Sequence, residues 1–406
     1  MKILFLCHRF PYPPNRGGRI RSFNIIRHLA RDHQVTVATL VRSPREAAAA
    51  PELQRQTGCG LLAAPTDAIA SGARALARVP TRSPSSMGYF YSPLLARMIR
   101  AELDRTEHDL ILVHCSSMAP YVAAAPIPKI LDFGDMDSQK WLAYADNRSM
   151  PISLAYLLEG RKLEQAEREL ARQFDLCTCT TLAELETLRS FAAARSCGWF
   201  PNGVDSEYFT PTARPYDRDQ ICFLGRMDYY PNEEAIRRFC SDILPLLRAR
   251  RPEIKLTIAG GNPSRPVRAL AAIPGVTVTG SVPDIRPYAQ RSALSIAPLR
   301  IARGTQNKIL ESLAMGVPVV CSADAARGVD AIAGEHLLIA TQPREYVDAM
   351  VRLLDEPEAR ARFAAAGRAR VLSHHNWRAS MHRLDELIGQ CLDAARSNSR
   401  RRVAAS

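Results

Sequence analysis

The chain has 406 residues, 47% of them hydrophobic and 23% charged, which is typical of a globular protein and long enough for two domains. No apolar run reaches the ~20 residues that span a membrane, and the N-terminus, MKILFLCHRFPYPP, lacks the cleavage site of a signal peptide. The formal charge of +13 favours anionic partners. Zinc-finger spacings and ribonucleoprotein aromatic motifs are missing from the sequence, so we expect sugar phosphates or anionic lipid as partners and no nucleic acid.

The first half of the chain alternates short apolar runs with amphipathic segments. We predict strands at Lys2–Cys7, Val35–Leu40, Leu110–His114, Lys129–Phe133 and Leu176–Thr180. Helices are predicted at Ile20–Ala30 and in a segment that carries Leu163, Ala166, Leu170 and Phe174 on one stripe. Residues 45–105 mix Ala-rich stretches with prolines and receive no assignment. Nearly continuous apolar strands are typical of a parallel sheet that is covered on both faces.

A second series of strands begins after the sequence PNGVD at 201–205. We predict strands at Ile221–Leu224, Lys255–Ala259, Val276–Thr279, Leu294–Ala297, Val317–Cys321 and Leu337–Ala340. The predicted helices include Glu233–Arg250, Gln306–Met315 and a final helix at Trp377–Ala394. Repeated strand–helix alternation predicts a doubly wound parallel sheet in each half. Ligands bind at the carboxyl ends of such strands, so we expect the site in a cleft between the halves.

The pattern of strands and helices divides the chain into four segments. We predict an N-terminal Rossmann-like domain over 1–198 and a C-terminal Rossmann-like domain over 199–375. A helix over 376–395 is expected to return to the first domain, and 396–406 to form a basic disordered tail.

The ten cysteines are scattered, and most lie inside apolar segments. Cys177 and Cys179 form C-x-C, which places both side chains on one face of a strand. Since no second pair completes a zinc pattern, we expect buried free thiols in a reducing cytosol and no metal.

The most informative stretch runs from Arg303 to Val320, RGTQNKILESLAMGVPVV. Gly304 and Thr305 break the preceding strand, so the helix that follows begins with free backbone N–H groups, which attract anions. Lys308 and Glu311 are three residues apart and lie on one helical face. A cation for phosphate beside a carboxylate for sugar hydroxyls suits a nucleotide-sugar. The alternative is an ordinary α/β crossover with a solvated Lys–Glu pair.

Four motifs in this order resemble one family. PNGVD at 201–205, FLGRMDYYPN at 223–232, the 303–320 stretch and GEHLLIA at 334–340 together resemble the GT-B glycosyltransferases of family GT4. MDYYPN and DFGDMDSQKW at 132–141 are similar to the branch found in bacterial exopolysaccharide gene clusters of the PEP-CTERM type. The resemblance implies a GT-B fold of two Rossmann-like domains, of which the first binds the acceptor and the second binds the nucleotide-sugar. It also implies transfer of a sugar with retention of configuration, and no cofactor or bound metal.

The resemblance also assigns roles. Arg226 matches the arginine that grips the donor pyrophosphate, a contact suited to guanidinium geometry. Glu311 matches the glutamate that holds the donor ribose, and Gly17 and Gly18 match a glycine loop that approaches donor phosphate or acceptor. The expected donor-binding residues are Gly17, Gly18, Arg226, Arg303, Gly304, Thr305, Gln306, Asn307, Lys308 and Glu311.

The chain departs from the family pattern at three places. Arg303 stands where the family has a glutamate that contacts the donor sugar, and Pro231 stands where it has a lysine, for which Lys308 is the replacement cation. Gly134 stands where many relatives have a histidine, so Asp135 or Asp137 is expected to bind the sugar or accept a hydroxyl proton. The catalytic candidates are therefore Asp135, Asp137, Arg226 and Lys308. A loop or cap carboxylate is the alternative for each aspartate, and His114 is read as a packed histidine.

The leading hypothesis is a retaining glycosyltransferase in exopolysaccharide biosynthesis that extends a lipid-linked or polysaccharide acceptor, in the cytoplasm or peripherally on the inner membrane face. Arg9, Arg16, Arg19 and Arg21 flank the glycine pair and are candidates to meet acceptor phosphate or anionic lipid; a solvated basic surface is the alternative. Two other functions remain open: a nucleotide-sugar epimerase of GT-B fold, or a non-catalytic subunit that binds sugar nucleotide or polysaccharide.

Overall fold

A computed structural model describes the backbone of residues 1–15 and 17–404 and the side chains among them as far as residue 397. It divides into two compact units. The first comprises Met1–Pro201 together with the chain from Met381 onward, and the second comprises Asn202–Ser380.

The first unit is built on a parallel sheet of seven strands. Its strands and helices in chain order are β1 Lys2–Cys7, α1 Gly17–Leu29, β2 Gln34–Val41, α2 Pro44–Ala48, α3 Ala50–Thr57, β3 Gly60–Pro65, α4 Ala68–Ala77, α5 Ser85–Tyr89, α6 Pro93–Arg105, β4 Leu110–His114, a 3-10 helix Ser116–Tyr121, β5 Lys129–Gly134, α7 Asp137–Asp146, α8 Ile152–Gln173, β6 Leu176–Cys179, α9 Leu182–Ser190 and β7 Cys197–Trp199. The strand order is β3-β2-β1-β4-β5-β6-β7, in which the order reverses between β1 and β4. This is the doubly wound arrangement that the sequence predicts.

The second unit repeats the design with six parallel strands in the order β10-β9-β8-β11-β12-β13. Its elements are β8 Asp217–Leu224, α10 Tyr230–Arg238, a π-helical turn Phe239–Ile243, α11 Leu244–Arg250, β9 Lys255–Ala259, α12 Arg265–Ala269, a 3-10 turn Leu270–Ala272, β10 Val276–Gly280, α13 Arg286–Gln290, β11 Ser292–Ala297, α14 Asn307–Ala314, β12 Val319–Cys321, α15 Ala323–Ala326, β13 Leu338–Ile339, α16 Pro343–Asp355 and α17 Pro357–His374. β11, β12 and the second half of β8 are fully buried, because helices cover both faces of the sheet there.

The boundary between the units falls after Pro201 because Phe200 is tied to the first unit. Arg21 donates from Nη1 to the Phe200 carbonyl at 3.1 Å, and its guanidinium lies 3.7 Å from the centroid of the Phe200 ring. Val204 in turn donates its backbone N–H to the His375 carbonyl at 2.8 Å within the second unit. These contacts place the boundary slightly later than the residue 198 inferred from the sequence.

The last helix, α18, covers Trp377–Ala404 and belongs to the first unit from Met381 onward. His28 of α1 lies 2.8 Å from an Asp385 carboxylate oxygen. Helix continues through residues 396–404, where the sequence analysis expects a disordered tail, because no Pro or Gly follows Gly389 to interrupt it. Residues 405–406 of that tail lie outside the described residues.

Two further expectations need correction. The helix predicted at Glu233–Arg250 is interrupted by the π-helical turn at Phe239–Ile243, where Pro245 removes a backbone donor from the helix that follows. Strands β3 and β7 were not predicted. Both lie at sheet edges, where short, partly exposed strands lack the continuous apolar pattern of the central ones.

Candidate functional site

The turn after β8 brings two strand ends of the second unit unusually close. Gly225 has a φ of 145° and Gly260 a φ of 148°, and a Cβ on Gly260 would lie 1.7 Å from the Gly225 carbonyl oxygen. A Cβ on Gly225 would lie 2.8 Å from Asn232 Nδ2 and 3.5 Å from Lys308 Cε. Only glycine fits at these positions. Asn232 and Lys308 therefore pack closely against this turn.

Neighbouring residues hold the Lys308 side chain beside the Gly225 turn. Its ammonium donates to Asn232 Oδ1, and Asn232 Nδ2 donates in turn to the Arg226 carbonyl at 2.8 Å. The ammonium also lies 4.9 Å from the centroid of the Phe223 ring. No carboxylate of the described residues lies within salt-bridge distance of it. Burial lowers the pKa of Lys308 to about 7, although the nearby Glu311 opposes the shift.

Glu311 lies one turn along α14 from Lys308. The apolar residues of NKILESLA, such as Ile309, Leu310 and Leu313, are buried in the core, which leaves Lys308 and Glu311 together on the opposite stripe. Burial raises the pKa of Glu311 to about 7, with Lys308 opposing. Each group is the opposite charge that favours the ionised form of the other, but within the described residues they are too far apart to form a salt bridge. An anion at Lys308 and a hydroxyl at Glu311 would supply the missing close partners.

The turn that precedes α14 is held by its own backbone. Gly304 has a φ of 62°, and a Cβ on Gly328 would lie 2.1 Å from the Gly304 carbonyl oxygen. Gln306 caps the start of α14, and its amide donates to the Arg303 carbonyl at 3.1 Å. The Thr305 hydroxyl is buried and has no hydrogen-bond partner in the described part of the chain. The first turn, which begins at Asn307, carries no acidic residue, so its N–H groups face no competing carboxylate.

Arg226 follows Gly225 directly but points its guanidinium at a neighbour. Its Nε donates to Asp228 Oδ1 at 3.0 Å, and both side chains are well exposed. Exposed ion pairs of this kind contribute only about 0–1 kcal/mol. Arg226 can therefore exchange Asp228 for a phosphate at little cost.

In the first unit, Gly17 and Gly18 form the first turn of α1, so they begin a helix where the sequence analysis expects a glycine loop. A Cβ on Gly18 would lie 3.9 Å from His114 Nε2, and one on Gly134 would lie 3.3 Å from His114 Cε1. The imidazole of His114 thus lies beside both glycine positions. It is buried and packed, as the sequence analysis expects.

A buried network that the sequence analysis missed centres on Asp132 of β5. Arg21 binds this carboxylate through two bonds of 2.7 and 2.8 Å, and both side chains are almost fully buried. His114 Nδ1 lies 2.8 Å from Asp132 Oδ2, and Thr178 donates to Oδ1 at 3.0 Å. Burial alone would raise the pKa of Asp132, but Arg21 and His114 hold it well below its ordinary range. The signal was present, because a carboxylate inside the apolar run KILDF needs a buried cation.

This network corrects the expected basic surface around the glycine pair. The sequence analysis proposes Arg21 as a residue that binds acceptor phosphate or lipid. That prediction is wrong, because the Arg21 side chain is buried and forms an ion pair with Asp132. Arg19 is paired with Glu46. Arg9 donates to its neighbour His8 at 3.0 Å. Arg16 lies outside the described residues.

Asp135 lies in the loop between β5 and α7, and Asp137 is the first residue of α7. Asp135 accepts a hydrogen bond from Thr180 at 2.8 Å. Burial raises the pKa of Asp137, with Lys140 opposing and Asp135 adding to the rise. Glu184 accepts the Met136 N–H at 2.9 Å and Glu167 accepts the Ser138 N–H at 3.1 Å, which fixes the loop.

All ten cysteines are free, and eight are buried. Burial raises the pKa of the Cys321 thiol to about 12, which makes it a poor nucleophile, and it does the same for Cys7. Within the described residues, no group of three or more His, Cys, Asp and Glu side chains is arranged to hold a metal ion. No described helix is long and apolar enough to cross a membrane.

Two family models match the chain and together cover most of it. Residues 16–208 match "Glycosyltransferase Family 4", and residues 218–356 match "Glycosyl transferases group 1".

Two curated relatives are mannosyltransferases. The chain is 24% identical to the GDP-mannose-dependent alpha-(1-6)-phosphatidylinositol monomannoside mannosyltransferase of Mycolicibacterium smegmatis, over 93% of this chain and 96% of the relative. It is 27% identical to the GDP-mannose-dependent monoacylated alpha-(1-6)-phosphatidylinositol monomannoside mannosyltransferase of Corynebacterium glutamicum, over 55% of this chain. That match spans 64% of the relative's length.

Solved structures share the fold along the whole chain. Sucrose-phosphate synthase from Thermosynechococcus elongatus superposes with a TM-score of 0.72 at 16% identity, over 97% of this chain and 99% of that one. Anabaena HepE in complex with UDP gives 0.68 at 14% identity, over 96% and 100%. The two parallel-sheet units therefore define a GT-B fold. The chain belongs to the GT4-type glycosyltransferases.

Proposed function

We propose that this protein is a retaining glycosyltransferase that moves a sugar from a nucleoside-diphosphate donor to a lipid-linked or polysaccharide acceptor. The proposal rests mainly on the burial and contacts of Lys308. Asn232 holds Lys308 against the Gly225 turn, and burial lowers the pKa of this lysine to about 7. No carboxylate of the described chain lies within salt-bridge distance of it. Such a cation is costly in the free protein and gains its partner only when an anion binds.

Donor binding follows from the same residues. The pyrophosphate would lie against Lys308 and the first turn of α14, and Arg226 would leave Asp228 to bind it through two guanidinium bonds. Glu311, one turn further along the helix, would accept hydrogen bonds from the ribose hydroxyls. The remaining turn residues, Arg303, Gly304, Thr305, Gln306 and Asn307, would surround the phosphates and the sugar. The complexes of Anabaena HepE with UDP and UDP-glucose support a nucleotide donor for this fold.

In the transfer step, the bond between the anomeric carbon and the phosphate oxygen breaks, and the acceptor oxygen bonds to the same face of that carbon. The departing diphosphate gains negative charge, which Arg226 and Lys308 neutralise. The acceptor hydroxyl loses its proton to the departing phosphate or to a carboxylate. Asp137, whose pKa is raised by burial, is the proposed carboxylate, and Asp135 would hydrogen-bond the sugar or acceptor.

The acceptor is proposed from two kinds of likeness. The curated relatives are named for phosphatidylinositol mannosides, which supports a lipid-linked acceptor. The motifs MDYYPN and DFGDMDSQKW support a place in exopolysaccharide biosynthesis. A lipid-linked acceptor implies work in the cytoplasm, peripherally at the inner face of the membrane.

A panel of UDP-, GDP- and dTDP-sugars tests the proposal, with donor hydrolysis and thermal shift as readouts. One donor should be hydrolysed slowly and should raise the unfolding midpoint. Lys308→Ala should lose both effects, whereas Lys255→Ala, a surface lysine of the same unit, should keep them. Binding without hydrolysis or transfer would indicate a non-catalytic subunit, and interconversion of the sugar would indicate an epimerase. Either result overturns the proposal.

A further inference from the structure

The first unit exposes an unusual cluster of large apolar side chains. In the loop and first turns of α8, exposure ranges from 40% to 67% for five residues, Met150, Ile152, Leu154, Leu157 and Leu158. Near the end of α4, Leu76 is 71% and Val79 is 55% exposed. We call these seven residues the α4–α8 surface. Side chains of this size are normally covered when they lie together.

The start of α8 differs from the rest of the helix. From Glu159 onward, α8 is amphipathic and buries Leu163 and Leu170. Between Ile152 and Leu158 it buries no residue at all, although the segment is mostly apolar. Internal packing therefore does not explain why this segment is apolar.

Hydrogen bonds join the two parts of the surface. The ammonium of Lys162 donates to the Val79 carbonyl at 2.6 Å and to the Arg78 carbonyl at 3.3 Å. Leu154, Leu158 and Lys162 follow one another at spacings of four residues, so they lie on one stripe of α8. Leu158 therefore lies one helical turn from Lys162, which is hydrogen-bonded to the Val79 carbonyl. The apolar residues of the two segments thus form one surface.

Arginine is the charged residue within the segments that form this surface. Residues 68–82 contain three arginines and no Asp or Glu, and residues 147–158 contain one arginine and no acid; Asp67 and Asp146 lie just outside the two ranges. Arg78 and Arg82 follow α4 directly, and within the described chain neither forms a salt bridge with a carboxylate. An aromatic cluster lies beside the apolar residues, in which the Trp141 and Tyr156 ring centroids are 5.3 Å apart. Apolar residues, unpaired arginines and half-exposed Trp and Tyr are the combination that suits a bilayer interface.

We propose that the α4–α8 surface docks the protein on an anionic lipid bilayer. Leu154, Leu157 and Leu158 enter the boundary between headgroups and acyl chains, while Arg78 and Arg82 meet the lipid phosphates. The arginines of 68–82 and the lack of acidic residues within 68–82 and 147–158 make this apolar surface complementary to anionic lipid, so we take a bilayer as its partner. The proposal rests on the lipid-linked acceptor proposed above, since docking brings the enzyme to the membrane that holds such an acceptor.

Cosedimentation with vesicles tests the docking surface. The full chain should sediment with vesicles of phosphatidylcholine mixed with phosphatidylglycerol and only weakly with phosphatidylcholine alone. The triple variant Leu154→Ser, Leu157→Ser, Leu158→Ser should reduce the partition coefficient by at least about tenfold. The matched control changes three exposed leucines elsewhere, Leu182→Ser, Leu246→Ser and Leu372→Ser, and should bind as the wild type does. Arg78→Glu with Arg82→Glu should abolish the preference for anionic vesicles, whereas Arg218→Glu should not.

Equal sedimentation of the triple variant and its control would overturn the proposal. A triple variant that changes the oligomeric state in solution and leaves vesicle binding unchanged would also overturn it, since the surface would then pair two copies. Thermal unfolding of each variant confirms that the fold is kept. Donor hydrolysis without vesicles should be unchanged in every variant, so loss of vesicle binding with intact hydrolysis contradicts neither the fold nor the donor site. Absent hydrolysis in the wild type would contradict the proposed function alone.

Discussion

Donor binding should be accompanied by the uptake of a proton at Lys308. In the free protein, burial lowers the pKa of Lys308 to about 7, so at pH 8 roughly one molecule in ten carries the charged form. A bound pyrophosphate places negative charge beside the ammonium and raises its pKa. The complex formed at pH 8 should therefore take up protons, with Lys308 contributing up to about one.

The same linkage fixes the pH dependence of affinity. Since binding requires the charged lysine, affinity should fall by up to about tenfold for each pH unit above 7. The lowered pKa of Lys308 also makes the stability of the free protein depend on pH. The unfolded chain binds more protons at Lys308 than the folded chain between pH 7 and the ordinary lysine value, so burial of Lys308 destabilises the free protein most at and below pH 7.

Isothermal titration in buffers of different ionisation enthalpy measures the proton uptake directly. The titrant is UDP or GDP, whichever shifts the unfolding midpoint more. The matched variant is Lys308→Arg, because a guanidinium stays charged at every pH used and should bind with less proton uptake than the wild type. Lys308→Ala should weaken binding by about tenfold or more, since charged hydrogen bonds contribute roughly 1.5–3 kcal/mol. Equal proton uptake by the wild type and Lys308→Arg would refute the reasoning.

Three further substitutions test the rest of the account. Glu311→Gln should lower nucleotide affinity and turnover by about tenfold, while the unfolding midpoint without ligand stays unchanged or rises because a buried carboxylate is removed; normal donor affinity in the folded variant would contradict the ribose role. Arg226→Ala should weaken nucleoside diphosphate by about tenfold and leave nucleoside unaffected in the same titration; equal losses for both would mean that Arg226 acts through folding. Asp132→Asn should cost about 3–5 kcal/mol of unfolding free energy in urea, because Arg21 is left buried without its partner, and a cost below about 1 kcal/mol would be inconsistent with the buried pair. The lowered pKa of Asp132 also means that its stabilisation is present above the unfolded-state value and is lost as the pH falls below it.

The central strands could be predicted from sequence because each is apolar along its length. Lys2–Cys7, Leu110–His114 and Lys255–Ala259 have the same bounds in the structure as in the sequence analysis. Gly60–Pro65 could not be assigned, because an edge strand among Ala-rich helices and prolines carries no periodic signal. The π-helical turn at Phe239–Ile243 also escaped prediction, since helix periodicity changes little across it.

The shared helical face of Lys308 and Glu311 could be predicted from the sequence, whereas the burial of Arg21 could not. Lys308 and Glu311 lie on a single short helix, so their spacing alone predicted a shared face. The contact between Arg21 and Asp132 joins residues that are far apart in sequence, and nothing local to either one identifies the partner. A run of arginines near a glycine pair therefore indicated a basic surface, although Arg21 is buried in the core.

Hydrogen exchange of the full chain with and without saturating nucleoside diphosphate tests the central claim most directly. The account predicts slower exchange in the β8 turn over residues 225–232 and in the turn and helix over 303–312, because the pyrophosphate and ribose bind there. Glu311→Gln should show less protection in the second segment at the same nucleotide concentration. Protection confined to other segments, or none at either of these two, would contradict a donor site built from Arg226, Lys308 and Glu311.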